Sequence, residues 1–101
     1  MKILLVCAAG MSTSLVVEKM KKALKPEEQD WVIKAEPVEK LPEIINEWDV
    51  ILLGPQISYK KGELTTLANQ YGKPLDVIKP MDYGMGKGEN ILNQAKALMK
   101  I

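Results

Sequence analysis

Apolar residues fall into two kinds of run along this chain, short unbroken ones and longer ones at helical spacing, and the two kinds alternate. Ile3 to Val6 are all apolar, as in a strand covered on both faces of a parallel sheet; with Lys2 they predict the first strand. Val16, Met20, Ala23 and Leu24 then recur at i, i+4, i+7 and i+8, one face of a helix that Pro26 ends. Glu18 and Lys22 make an i, i+4 pair on another face. From Trp31 to Glu36 the period drops to two, with Trp31, Ile33 and Ala35 opposite Val32, Lys34 and Glu36. Two charges on one face mark an edge strand, and Pro37 closes it. Val38, Leu41, Ile44, Ile45 and Trp48 return to helical spacing, with Pro42 suited to a first turn. Asp49 to Leu53 predicts a central strand ending in the turn signal Gly54-Pro55. Leu64, Leu67, Ala68 and Tyr71 mark a third helix stopped by Gly72. Leu75 to Lys79 predicts a fourth strand bounded by Pro80. Asp82 to Gly88 reads as a flexible glycine-rich loop, and Ile91, Leu92, Ala95, Leu98 and Met99 as the face of a last helix.

Four strands alternating with four helices predict an α/β fold: a parallel sheet with helices on both faces, one domain over residues 1–101. The charged second strand belongs at an edge, so the expected order is 2-1-3-4, a reduced flavodoxin-like sheet. Such sheets bind ligands at the carboxyl ends of the strands where the order reverses, here between the first and third strands. Those ends carry Cys7 and Gly54, so the segment after Cys7 should face Gly54-Pro55-Gln56-Ile57-Ser58-Tyr59.

The chemistry follows from that position. Cys7 is the only cysteine, and it stands where strand gives way to helix. Ala8, Ala9 and Gly10 leave backbone N–H groups accessible, and Ser12, Thr13 and Ser14 are N-cap residue types. Unpaired N–H groups and the positive end of a helix dipole make such a segment a ready anion site, and a helix N-terminus favours the nucleophilic thiolate. The residues Ala8, Ala9, Gly10, Met11, Ser12, Thr13 and Ser14 are therefore a candidate phosphate cradle for Cys7. The plainer reading makes Cys7 a small buried apolar residue.

Composition narrows the classes. The net charge of +1 comes from intermixed acids and bases, which excludes the basic patch of a nucleic-acid or membrane-surface protein. One cysteine permits no internal disulfide and suits a reducing compartment. The first apolar run is too short for a signal peptide, and no run approaches the roughly 18 residues of a membrane span, so a soluble cytoplasmic protein is expected. The chain has no histidine, hence no Cys–His or Ser–His pair, and neither a metal nor a cofactor is expected. All fourteen basic residues are lysines, so bidentate guanidinium clamping of a phosphate is excluded.

The segment Cys7-Ala8-Ala9-Gly10-Met11-Ser12-Thr13-Ser14 after an N-terminal strand, together with Val50-Ile51-Leu52-Leu53-Gly54-Pro55-Gln56-Ile57, resembles the IIB component of the bacterial phosphoenolpyruvate-dependent sugar phosphotransferase system, lactose/cellobiose type. The likeness runs over essentially the whole chain. It implies that Cys7 takes a phosphoryl group from a phosphohistidine IIA protein as a transient phosphocysteine. It further implies delivery to a sugar, a β-linked disaccharide such as cellobiose, chitobiose or lactose, held by the membrane IIC transporter. The missing histidine then belongs to the partner. Gln56, Tyr59 and Tyr83 are candidate accessory or docking residues, with Met81 and Met85 beside Tyr83 as an adaptable apolar surface or local core. A monomer without membrane insertion is expected. Two other classes share the arrangement. Low-molecular-weight tyrosine phosphatases look like Cys, five residues, then Arg, but Thr13 stands at that place here. A thiol redox sensor is the third class, weakened by the lack of a second cysteine.

Overall fold

A computed structural model of the chain describes residues 1–7 and 13–100, Thr13 by its backbone only. Four strands, β1 (Lys2–Cys7), β2 (Val32–Pro37), β3 (Val50–Leu53) and β4 (Leu75–Val77), form one sheet in the order β2-β1-β3-β4. All its pairings are parallel, with Ile3 opposite both Ile33 and Val50, and Leu53 opposite Val77. This is the order expected from Lys34 and Glu36. The two all-apolar strands are central, and the charged strand is at an edge where Lys34 reaches solvent.

Alternation along the strands divides the core in two. Ile3 and Leu5 of β1, Ile33 of β2, and Val50 and Leu52 of β3 pack on one face against α1 (Thr13–Ala23) and α5 (Gly88–Met99). Val16, Val17 and Met20 enter from α1; Ile91, Leu92 and Ala95 enter from α5. On the other face Leu4, Val6, Ile51 and Leu53 meet Leu41, Ile45, Trp48, Ile57, Leu64 and Ala68. The last two come from α3 (Lys61–Gln70).

Several elements depart from the periodicity. Residues 38–47 form a broken helical segment: a 3-10 turn, α2 (Leu41–Ile44) and a second 3-10 turn. Pro42 occupies the first turn of α2, where its missing N–H costs nothing, but its ring cannot extend a longer α-helix through this point. Gly54-Pro55 opens a 3-10 helix over Pro55–Lys60, with Ile57 buried beneath it, in place of an open loop. Gly72 closes α3 in the left-handed conformation, as expected, while Tyr71 caps the helix and stays exposed.

The glycine-rich stretch is the clearest correction. Pro80–Gly84 is a short helix, α4, with Pro80 in its first turn and Asp82 accepting a hydrogen bond from the Asn90 side chain at 3.1 Å. Gly88 is the first residue of α5, pressed so closely on α1 that a Cβ there would overlap the Lys19 carbonyl and the Met20 nitrogen. This glycine allows two helices to touch.

Polar groups secure the periphery. The outer edge of β4 is closed by side chains: Gln94 Nε2 donates to the Val77 carbonyl at 2.8 Å and to Asp76 Oδ2 at 3.1 Å, and Asp76 Oδ1 accepts from the Val77 N–H at 2.8 Å. Lys96 of α5 reaches Glu28 at 2.7 Å and lies 5.4 Å from the centre of the Trp31 ring, which ties α5 to the connection before β2.

Candidate functional site

Cys7 is the last residue of β1 and pairs in register with Pro37 of β2. By alternation it shares a face with Ile3 and Leu5, the face that carries α1. Beyond it the chain enters α1, whose first turn lies at the carboxyl end of the sheet. On the other side β3 ends at Leu53, opposite Val6, and the Gly54 N–H donates to the Val6 carbonyl at 2.8 Å. Gly54 is thus the neighbour of Cys7 across the point where strand order reverses, as the topology required.

The thiol is deeper than a surface nucleophile. Cys7 is 3% exposed. That burial alone would suit a small apolar residue; its position at the end of β1, at the reversal of strand order, is what marks it out.

Gly54 is where the site is tightest. An ideal Cβ on it would stand 2.5 Å from Gln56 Oε1 and 3.5 Å from the Cys7 Cβ. The carboxamide oxygen of Gln56 therefore lies in space that any other residue at 54 would fill, and that space also borders Cys7. Gln56 reaches this place because the 3-10 turn after Gly54 folds the chain back over the end of β3.

Of the other sequence candidates, Ala8, Ala9, Gly10, Met11 and Ser12 lie outside the described residues, and Thr13 is placed only as the first residue of α1. Ser14 is exposed in the first turn of α1 and borders a groove of about 210 Å³ with Val17, Lys21 and Lys34. Tyr59 is 77% exposed and packs into neither core cluster. Tyr83 is half-buried against the α1/α5 core, whereas its neighbours Met81 and Met85 are 69% and 67% exposed. The reading of the two methionines as local core is thereby corrected.

One further residue was not picked out from sequence. Leu15 is 64% exposed in the first turn of α1. Its signal was legible: it lies off the stripe formed by Val16, Met20 and Ala23, an apolar residue on the polar side of α1. Leu15, Tyr59, Met81 and Met85 all belong to segments that follow the carboxyl ends of β1, β3 and β4. Exposed apolar side chains thus stand in three of the segments that follow strands of the sheet.

A parallel α/β sheet in the order β2-β1-β3-β4, with a cysteine at the reversal of strand order, defines the structural class. Comparison with known proteins identifies the member. Residues 2–94 match the family described as PTS system, lactose/cellobiose specific IIB subunit, and the chain belongs to that family of sugar phosphotransferase components. It is 44% identical over 102 residues to the galactose-specific EIIB component of Lactococcus lactis subsp. cremoris (strain MG1363), covering 96% of this chain and 94% of that one. It is 43% identical over 98 residues to the oligo-beta-mannoside-specific EIIB component of Bacillus subtilis (strain 168), covering 97% and 95%. Among solved structures, the cellobiose-specific IIB component of Borrelia burgdorferi superposes with a TM-score of 0.79 at 38% identity, over 97% of this chain and 90% of that chain. The lactose-specific IIB domain of Streptococcus pneumoniae superposes with a TM-score of 0.80 over 94% and 96%. At 17% identity that second likeness speaks for the fold alone.

Among the described residues no group of three or more histidine, cysteine or acidic side chains is placed to hold a metal ion, and no helix is long and apolar enough to cross a membrane.

Proposed function

We propose that Cys7 is the phosphoryl acceptor and donor of this IIB component. Its thiolate attacks the phosphorus of a phosphohistidine on a IIA protein. The sulfur–phosphorus bond forms as the phosphorus–nitrogen bond breaks, and the histidine keeps the electron pair. In the second step a sugar hydroxyl attacks the phosphocysteine, the phosphorus–sulfur bond breaks, and the thiolate is restored while the hydroxyl proton is lost. The sugar is held by the membrane IIC transporter at the cytoplasmic side. Neither step requires a metal or a cofactor.

The observation that carries this reading is the place of the single thiol: the carboxyl end of β1, beside Gly54, at the reversal of strand order. With no histidine in the chain the phosphohistidine comes from outside, and with no arginine no guanidinium clamps the phosphoryl group, so neutral donors are proposed to hold it. Ala8 to Ser14 supply these as the cradle. Rapid hydrolysis of the kind a guanidinium clamp promotes is not built in, which suits a carrier that keeps its phosphoryl group until an acceptor arrives. Two relatives carry the names of cellobiose and oligo-beta-mannoside, which supports a β-linked disaccharide or short oligosaccharide as the cargo; a third carries the name of galactose, a monosaccharide.

Burial of the sulfur gives docking a mechanical task, since a partner's phosphorus must meet Cys7 in line. The exposed Leu15, Tyr59, Met81 and Met85, in the segments after β1, β3 and β4, supply apolar area on which a partner can settle. Methionine and tyrosine suit a surface that meets a soluble donor and a membrane-bound acceptor in turn. In a reconstituted assay with phosphoenolpyruvate, the general phosphotransferase proteins and a IIA donor, phosphate label is expected to pass to this chain and then to sugar in membranes carrying IIC. Cys7→Ser is expected to stop transfer at IIA. Sugar phosphorylation by the Cys7→Ser chain at the unaltered rate would overturn the proposal.

A further inference from the structure

The described part of the site contains one contact that the phosphocysteine reading does not by itself explain: a glycine at the end of β3 whose missing side chain is replaced by another residue's carboxamide. Gly54 has φ −62° and ψ 146°, a conformation open to any residue, so backbone freedom is not the reason for glycine here. The reason lies in space. A Cβ at 54 would stand 2.5 Å from Gln56 Oε1 while making only an ordinary 3.5 Å contact with the Cys7 Cβ and with the Val6 carbonyl. Only Gln56 is in the way, and it is the end of a flexible, exposed side chain.

We infer that Gly54 is a positioning residue for phosphoryl transfer: it opens the slot in which the Gln56 carboxamide lies beside Cys7, and that carboxamide donates through Nε2 to the phosphoryl group on the sulfur. The inference rests on Cys7 being the phosphoryl carrier. A carboxamide fits this role chemically. It offers two donors on one nitrogen and an acceptor on its oxygen, so a half-turn changes which end faces the sulfur. It carries no charge that would bind the phosphoryl group too tightly to hand on. It is too weak a base to activate water, so it does not promote loss of the phosphoryl group to hydrolysis. In a chain without arginine, a neutral side-chain donor of this kind complements the backbone N–H groups.

Four variants test it: Gly54→Ala, Gln56→Ala, the double variant, and Gln56→Glu, which keeps the shape but presents a carboxylate. The measurements are the single-turnover rate of transfer from phosphorylated IIA to Cys7 and the melting temperature of each chain. Gln56→Ala is expected to slow transfer roughly ten-fold, the worth of one hydrogen bond to a charged group. Gly54→Ala is expected to slow it similarly by displacing the carboxamide, with melting little changed. The double variant should be no slower than either single one, because both remove the same contact. Gln56→Glu should be slower than Gln56→Ala, which a purely structural role for the side chain would not produce. Wild-type rates in the single variants, or effects that multiply in the double, would overturn the inference and leave Cys7 as carrier intact. An unaltered chain that takes no label at Cys7 would instead overturn the reading on which the inference rests, and the inference with it.

Discussion

Two helical glycines should respond in opposite directions to the same substitution. At Gly88 the added methyl group meets backbone: the Lys19 carbonyl and the Met20 nitrogen of α1 lie where the Cβ would be. Backbone atoms cannot rotate aside, so α1 and α5 must separate. Both helices enter one core through Val16, Val17 and Met20 on one side and Ile91, Leu92 and Ala95 on the other. Overpacking of this kind costs about 1–3 kcal/mol. The gain from replacing glycine by alanine in a helix is at most about 1 kcal/mol, and less at a first residue. Gly88→Ala should therefore lose about 1–2 kcal/mol, which lowers the melting temperature of a domain this size by roughly 5–15 °C. At Gly62, in the first turn of α3, nothing lies within 4 Å of the added atom. There only the entropy of the unfolded chain and helix propensity act, and Gly62→Ala should gain a few tenths to about 1 kcal/mol, raising the melting temperature by a few degrees. Thermal melts followed by circular dichroism, with urea titrations for the free energies, measure both. A Gly88→Ala chain that melts at or above wild type would refute the close helix contact, and with it the account of how α1 is seated beside Cys7.

Other expectations follow from single contacts. The hydrogen bond from Lys96, together with the Lys25 N–H, holds the Glu28 carboxyl below its ordinary value of 4.5. A carboxyl lowered by folding adds stability above its unfolded value and loses it as pH falls through the folded one. Glu28→Gln should thus melt below wild type near neutral pH, with the gap closing as pH is lowered from 4.5; a gap that stays constant into acid would contradict the assignment. Lys100 caps α5 in the left-handed conformation at φ 62°, a strain glycine does not feel, so Lys100→Gly should gain about 0.5–1 kcal/mol in urea unfolding. Replacing exposed Met81 and Met85 together by glutamate should leave melting within about 0.5 kcal/mol of wild type while slowing phosphoryl transfer with a partner roughly ten-fold. Unchanged transfer would remove α4 from the docking surface.

The sheet was legible because its signals are local. Ile3 to Val6 and Val50 to Leu53 read as central strands, and Lys34 with Glu36 as an edge; the order β2-β1-β3-β4 follows. The misses have both long-range and local causes. Gly88 looks like loop flexibility in sequence because the α1 backbone it touches is some seventy residues away. Pro80 reads as a strand terminator and is also the first turn of a helix too short to show a period. Pro42 breaks what its neighbours' spacing presents as one helix into three pieces. At the site, the approach of Cys7 to Gly54 followed from strand order, but the Gln56 carboxamide standing in for a side chain at 54 is set by the turn after β3, which no residue pattern announces. The depth of Cys7 was one of two readings that sequence left open, since burial of a strand's last residue depends on what covers the end of the sheet.

The central claim is that one sulfur carries the phosphoryl group, and the most direct test is the intact mass of the chain after exposure to a phosphorylated IIA donor, with the modified residue located by fragmentation. The account predicts a gain of one phosphoryl group, confined to Cys7, lost in acid and absent from Cys7→Ser. A phosphoryl group on a serine or threonine, or one that persists in Cys7→Ser, would contradict it.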